Sequence, residues 1–115
     1  MDFEEIHTFC LSLDFVTEDF PFDASTLVFR VGGKIFALTD VDNCTSINLK
    51  CDPEKAIDLR ERYPFITAGY HMNKKHWNTV QLDPDLKMSL LKELIEHSYQ
   101  LVYKSLSKKQ RDELK

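Results

Sequence analysis

The sequence predicts an α+β domain built on an antiparallel sheet, and three observations carry that prediction. Short runs rich in β-branched and aromatic residues crowd the stretch from 15 to 50, and Gly32-Gly33 joins two of them as a tight hairpin. Apolar residues recur at helical spacing in the first dozen residues and again, over a longer stretch, after residue 84. Cap signals, Asp52-Pro53 and Asp83-Pro84, stand before two later elements. The expected order is helix, four strands, helix, loop, strand, long helix, short helix. That gives a sheet of about five strands with the helices packed on one face or end.

The first helix is expected over 2–13. Asp2 and Glu5 have capping-box spacing, and Phe3, Ile6, Phe9, Cys10 and Leu13 make one apolar face. Cys10 lies on that face and reads as a buried thiol. Phe15–Phe20, Thr26–Val31 and Lys34–Thr39 read as strands, with Pro21 to Asp23 turning the chain. Only glycine takes the positive φ values of a two-residue hairpin without strain, so Gly32-Gly33 fixes the link between the second and third strands. The residues alone leave open whether Phe29 and Phe36 face each other across it. Asp40 to Cys44 is a polar turn, and Thr45–Lys50 alternates as a half-buried fourth strand.

Asp52 is then expected to cap a helix with Pro53 at its first position and Glu54 favouring the positive end of the dipole. Ala56, Ile57, Leu59, Arg60 and Tyr63 continue it and Pro64 stops it. Trp77–Leu82 reads as a fifth strand. Asp83-Pro84 repeats the cap signal and predicts a long helix from there, with Leu91, Leu94, Ile95, Ser98, Leu101 and Val102 as its buried stripe. Ser107 and Gln110 fit a capping box for a last helix over 108–114.

The 115 residues make one domain, 1–115, with 43% hydrophobic residues, enough for a core without metal or disulfide support. No run approaches the roughly 20 apolar residues of a membrane-spanning helix, and no secretory signal is read at the start. Three cysteines without a C-x-x-C pair suit reduced thiols, so the expected setting is the cytoplasm. The net charge of −4 argues against a polyanion binder that works by overall charge. The distribution is uneven, however. Residues 1–23 hold seven acids and no Lys or Arg, whereas 104–115 hold five bases against two acids. These ends either pair with each other or form two oppositely charged faces.

Four blocks, FRVGGKIFALTD, LKCDPEKAIDLRERY, AGYHMNKKHWNTVQLD and SYQLVYKSLSKKQR, resemble the MmcQ/YjbR family, and the likeness covers nearly the whole chain. The resemblance implies a compact α+β domain of CyaY-like, or "double-wing", shape, and members are often described as DNA-binding. Two positions depart from the family pattern. Ala68 stands where a proline usually precedes the Gly-Tyr-His, which alters loop stiffness. Pro84 stands where a glycine often follows the aspartate.

Chemistry concentrates in 66–80, which holds two of the four histidines, the only tryptophan and adjacent lysines. Lys74 and Lys75 supply charge for phosphates, while His71 and His76 can donate hydrogen bonds. Tyr70 and Trp77 offer stacking planes, and Asn73 and Asn78 can read polar edges. Arg30, Lys34 and the basic tail can extend such a patch. Trp77 and Val80 also suit strand packing. Tyr70, His71, Asn73, Lys74, Lys75, His76 and Asn78 are therefore the candidate binding residues, and DNA is the expected partner.

Competing readings come from the same residues. His71, His76, Trp77 and Asn78 can instead line a small-molecule pocket, binding or enzymatic. Glu18 and Asp19 can serve a protein-interaction adaptor. Cys51, at a strand-to-helix junction, can be activated by the helix dipole with His71 or His76 as base, but Asp52 beside it opposes ionisation. His71 and His76 lack the spacing of a helical zinc pair, even with Cys51 or Asp52 added. No metal, cofactor or catalytic residue is assigned.

Overall fold

The structure, a computed structural model, describes residues 2–69 and 72–115. Among them run α1 (Phe3–Ser12), β1 (Val16–Asp19), β2 (Thr26–Val31), β3 (Lys34–Asp40), β4 (Ser46–Lys50), α2 (Pro53–Arg62), β5 (Ile66–Ala68), β6 (Trp77–Gln81), α3 (Met88–Ser105) and α4 (Lys108–Leu114). The α+β class holds, with one strand more than the five expected. β5 is the addition. Three residues between Pro64 and Gly69 are too short to show a period, and only pairing with β6 makes them a strand.

All six described strands form one antiparallel sheet in the order β1-β2-β3-β4-β6-β5. The chain leaves β4 through α2, lays β5 at the edge, and returns as β6 between them. Side chains alternate across the sheet, so Leu27, Phe29, Ile47, Leu49, Ile66 and Val80 share one face. They pack with Ile6, Cys10, Leu59, Leu91, Ile95 and Val102 of the helices in a single core. Val28, Asn48, Trp77 and Thr79 take the other face.

The hairpin forms as expected, with Gly32 at φ 59° and Gly33 at φ 81°. Gly32 answers a second demand as well, because a Cβ there would lie 2.6 Å from Leu106 Cδ1. Phe29 and Phe36 miss direct opposition by one residue. The register slips between Phe29 and Arg30, so Phe29 faces Ala37, and both phenylalanines enter the core with ring centroids 6.3 Å apart.

Asp2, Asp52 and Ser107 cap their helices through side-chain oxygens, and Ser107 with Gln110 closes the capping box. Asp83-Pro84 does not start α3. The Asp83 side chain accepts from Asp85 N–H at 2.8 Å and its carbonyl from Leu86 N–H at 2.9 Å, which closes a turn. Leu86 is buried in the core, and the helix begins only at Met88. An aspartate that caps a helix and one that closes a turn use the same local bond, so the sequence signal serves either.

α3 is tied to the sheet by Ser98, which is fully buried. Its hydroxyl donates to Phe36 O and accepts from Lys50 N–H at 2.9 Å. Among the described residues no helix is long and apolar enough to cross a membrane.

Candidate functional site

The turn over residues 73–77 is built around Asn73. Its carbonyl accepts from His76 N–H at 3.2 Å and Trp77 N–H at 3.0 Å, and its side-chain oxygen accepts from Lys75 N–H at 2.9 Å. One asparagine thus closes the turn that presents Lys74 and Lys75. Both lysines are exposed, and neither enters an ion pair among the described residues. Gly69 N–H bonds Trp77 O at 2.9 Å, and Cys51 N–H bonds His76 O at 2.7 Å. The turn is therefore held from β5 on one side and from the β4–α2 junction on the other.

Arg60 of α2 holds it from beneath. Its Nε donates to Asn78 Oδ1 at 2.7 Å, and its Nη2 reaches Lys74 O and, at 3.4 Å, Trp77 O. Sequence reasoning missed this clamp. One signal was available: Arg60 is four residues from buried Ala56 and follows buried Leu59, so it interrupts an apolar stripe.

The seven candidates consequently divide. Lys74 and Lys75 are free at the surface. Asn73 supports the turn, and His76 is half-buried with its carbonyl engaged. Asn78 is 2% exposed and faces the core side of β6. Tyr70 and His71 lie outside the described residues. Trp77, at 9% exposure, is strand packing and offers no open face for a base.

Strand directions gather charge at the two ends of the sheet. The Gly32-Gly33 turn, the end of β4 and the Asn73–Trp77 turn lie at the same end, because Val31 pairs with Lys34 and Lys50 with Trp77. Lys34, Lys50, Lys74 and Lys75 are there, as is the start of α2 with Asp52, Glu54 and Lys55. α4 joins them: Gln110 and Glu113 border the same groove as Gly32 and Gly33, bringing Lys108, Lys109 and Arg111 to this end together with Asp112 and Glu113. The turns after β1, β3 and β6 lie at the opposite end with Asp23, Asp40, Asp42, Asp83 and Asp85. The start of α1, with Asp2, Glu4 and Glu5, sits near Asp83 and Met88. The start of α1 and the basic tail thus lie at opposite ends, while Asp14, beside Phe15 and Val16, lies toward the hairpin end.

Other early candidates are engaged elsewhere. Arg30 bonds Asp19 at 2.8 Å and Gly33 O at 3.0 Å. Glu18 bonds His7 Nε2 at 2.6 Å. Burial pushes the Cys51 thiol up; Lys55 and Arg60 pull it down and Asp52 pushes it up, with burial the largest influence. A buried thiol kept protonated is a poor nucleophile. Burial, then Lys55, holds His97 below the usual imidazole range while Asp52 opposes them, and its Nε2 accepts from Asp52 N–H at 3.2 Å. Among the described residues no three of His, Cys, Asp and Glu come together to hold a metal ion.

Comparison with known proteins places this geometry among relatives. A family model described as YjbR matches residues 11–101. The chain is 40% identical over 114 residues to the Escherichia coli O157:H7 protein YbdF, covering 95% of this chain and 93% of that one. It is 30% identical over 112 residues to YjbR of Escherichia coli K12, covering 96% and 95%. Both relatives are described as uncharacterized. Among solved structures, the Deinococcus radiodurans protein DR2400 matches with a TM-score of 0.90 at 43% identity, covering 96% of this chain and 86% of that one. A Pseudomonas syringae protein matches with a TM-score of 0.76 at 31% identity, covering 89% and 99%.

Proposed function

The chain belongs to the YjbR family, and on that premise we propose that it binds DNA through the phosphate backbone, at the basic end of its sheet. One observation carries this reading. A protein with net charge −4 sets Lys34, Lys50, Lys74, Lys75, Lys108 and Lys109 at one end of its sheet, with Lys74 and Lys75 on a turn clamped by Arg60. Clustered cations focus potential even when the whole molecule is acidic, and held lysines lose less freedom on contact than mobile ones. Six strands about 4.8 Å apart span roughly 24 Å, the length of about seven base pairs at 3.4 Å each. Lys34 on the hairpin, Lys74 and Lys75 on the turn, and Lys108 and Lys109 on α4 are spread along that width.

The contact is with phosphate. Asn73 and Asn78 use their side-chain oxygens within the protein and Trp77 is buried, so base edges and faces have few partners among the described residues. Phosphate contacts position a duplex without reading it. Titrating the protein into two labelled duplexes of unrelated sequence at low salt tests the proposal. Affinities within about threefold of each other are expected for non-specific contact. No binding to either duplex would overturn it.

A further inference from the structure

Beside the Gly32-Gly33 turn a groove of about 380 Å³ runs between β1, the hairpin and α4. That volume lies within the roughly 300–1,000 Å³ of small-ligand sites. Phe15 lines the groove and is 39% exposed, so part of an aromatic ring meets water there. The residue also has φ 66°, the one positive value outside glycine among the described residues. A bulky side chain is uncommon in that conformation, because its Cβ crowds the backbone. Its two neighbours hold it. The Asp14 carbonyl accepts from the Tyr99 hydroxyl at 2.6 Å, and Val16 pairs with Val31 at the start of β1. Backbone strain enforced in this way gathers at ligand sites.

The other walls suit a flat, uncharged group with polar edges. Gly33 has open space where a Cβ would lie, so a planar ligand can come close to the backbone of the turn. Gln110 Oε1 accepts from Ser107 N–H at 2.9 Å, which fixes the orientation of the amide and makes Nε2 the end left to donate. Thr17 contributes a hydroxyl and Glu113 a carboxylate. Charge around the groove is close to balanced, with Lys34, Lys108, Lys109 and Arg111 standing among Asp14, Asp112 and Glu113. Such a setting does not draw a phosphate into the groove itself.

We propose that the groove takes one unpaired nucleobase, stacked on Phe15, from a strand whose phosphates meet the lysines around it. The choice of nucleic acid rests on the DNA reading above, and the groove adds that the favoured partner carries a single-stranded portion. Stacking on an aromatic ring accepts any base, because every base has a π face. Gln110 Nε2 supplies a donor for the polar edge of the base. Glu113 supplies an acceptor, which suits an exocyclic amino group. A base inside a duplex is stacked and paired, so it must leave the helix before it can use such a site.

The test compares a short blunt duplex with the same duplex carrying a single-stranded overhang that ends in the fluorescent base 2-aminopurine. Binding is followed in wild type, Phe15→Leu and Phe15→Tyr, with circular dichroism checking the fold of each. Leucine keeps apolar bulk and loses the ring, whereas tyrosine keeps the ring. Wild type and Phe15→Tyr are expected to bind the overhang substrate at least about fivefold more tightly than the blunt one, and to quench the fluorescence as the base stacks. In Phe15→Leu the preference and the quenching are expected to vanish, while affinity for the blunt duplex stays within about threefold of wild type, as for contact with phosphates alone. If Phe15→Leu does not fold, Phe15→Gly, which suits the positive φ, takes its place with the same expectation. Equal wild-type affinity for the two substrates, or a preference that survives loss of the ring, overturns the base site. Binding of the blunt duplex that persists in either case leaves the backbone reading standing alone; if neither substrate binds, both readings fail.

Discussion

Arg60 Nε donates to Asn78 Oδ1 at 2.7 Å, joining the last turn of α2 to the strand on which the lysine turn lands. The same guanidinium holds the carbonyls of Lys74 and Trp77. A planar fork with several fixed donors does this, and an ammonium does not. Arg60→Lys is therefore expected to lose about 1–3 kcal/mol, the cost of leaving buried acceptors without a charged donor. Chemical denaturation measures the loss. Faster amide exchange at Lys75, His76 and Trp77 than elsewhere in the sheet would show that the turn itself loosens.

Ser98→Ala tests the tie between α3 and the sheet. Ser98 Oγ serves Lys50 N–H and Phe36 O together from a fully buried site. Its removal leaves a buried donor without its partner, and a loss of about 1–3 kcal/mol is expected. Stability within about 0.5 kcal/mol of wild type, the range of a neutral surface change, would show that the bond contributes little.

The hairpin glycines carry different demands. At Gly33, φ is 81° and the surrounding space is open, so Gly33→Ala meets backbone strain alone. At Gly32 the added Cβ also meets Leu106 Cδ1 at 2.6 Å. Gly32→Ala is expected to be the more destabilising by about 1 kcal/mol or more, the scale of overpacking. Equal melting temperatures for the two variants would mean that Leu106 swings aside freely.

His97 gives folding a pH dependence. Burial, followed by Lys55, lowers its value in the folded protein below the ordinary 6.5, while Asp52 opposes them. The unfolded chain therefore binds the proton more readily between the folded value and about 6.5. The stability contributed by neutral His97 is complete above that upper limit and is lost as pH falls through the folded value. His97→Gln keeps a side-chain acceptor for Asp52 N–H and does not titrate. The stability difference between wild type and His97→Gln is expected to change across that window and to be flat above it. Denaturation curves at several pH values measure this.

The parts of the fold legible in the sequence are those whose cause is local. Asp52-Pro53, Gly32-Gly33 and the Ser107–Gln110 pair determine their own backbone, and all three appear where expected. Asp83-Pro84 misled because its bond closes a turn as readily as it caps a helix, and burial of Leu86 in the core accompanies the turn. β5 was hidden because its three residues acquire strand structure from β6. In the candidate site, the exposed lysines followed from composition. The inward direction of Asn78 and the Arg60 clamp depend on strand register and on where α2 crosses, and neither is a local property.

Salt dependence of DNA binding by wild type and by Lys74→Ala/Lys75→Ala tests the account most directly. Each phosphate contact contributes about 0.9 to the slope of log affinity against log salt. If both lysines meet phosphates, the double variant has a slope smaller by about 1.8 and binds more weakly at every salt concentration. Identical slopes for the two proteins, or wild-type affinity that does not change with salt, would contradict it.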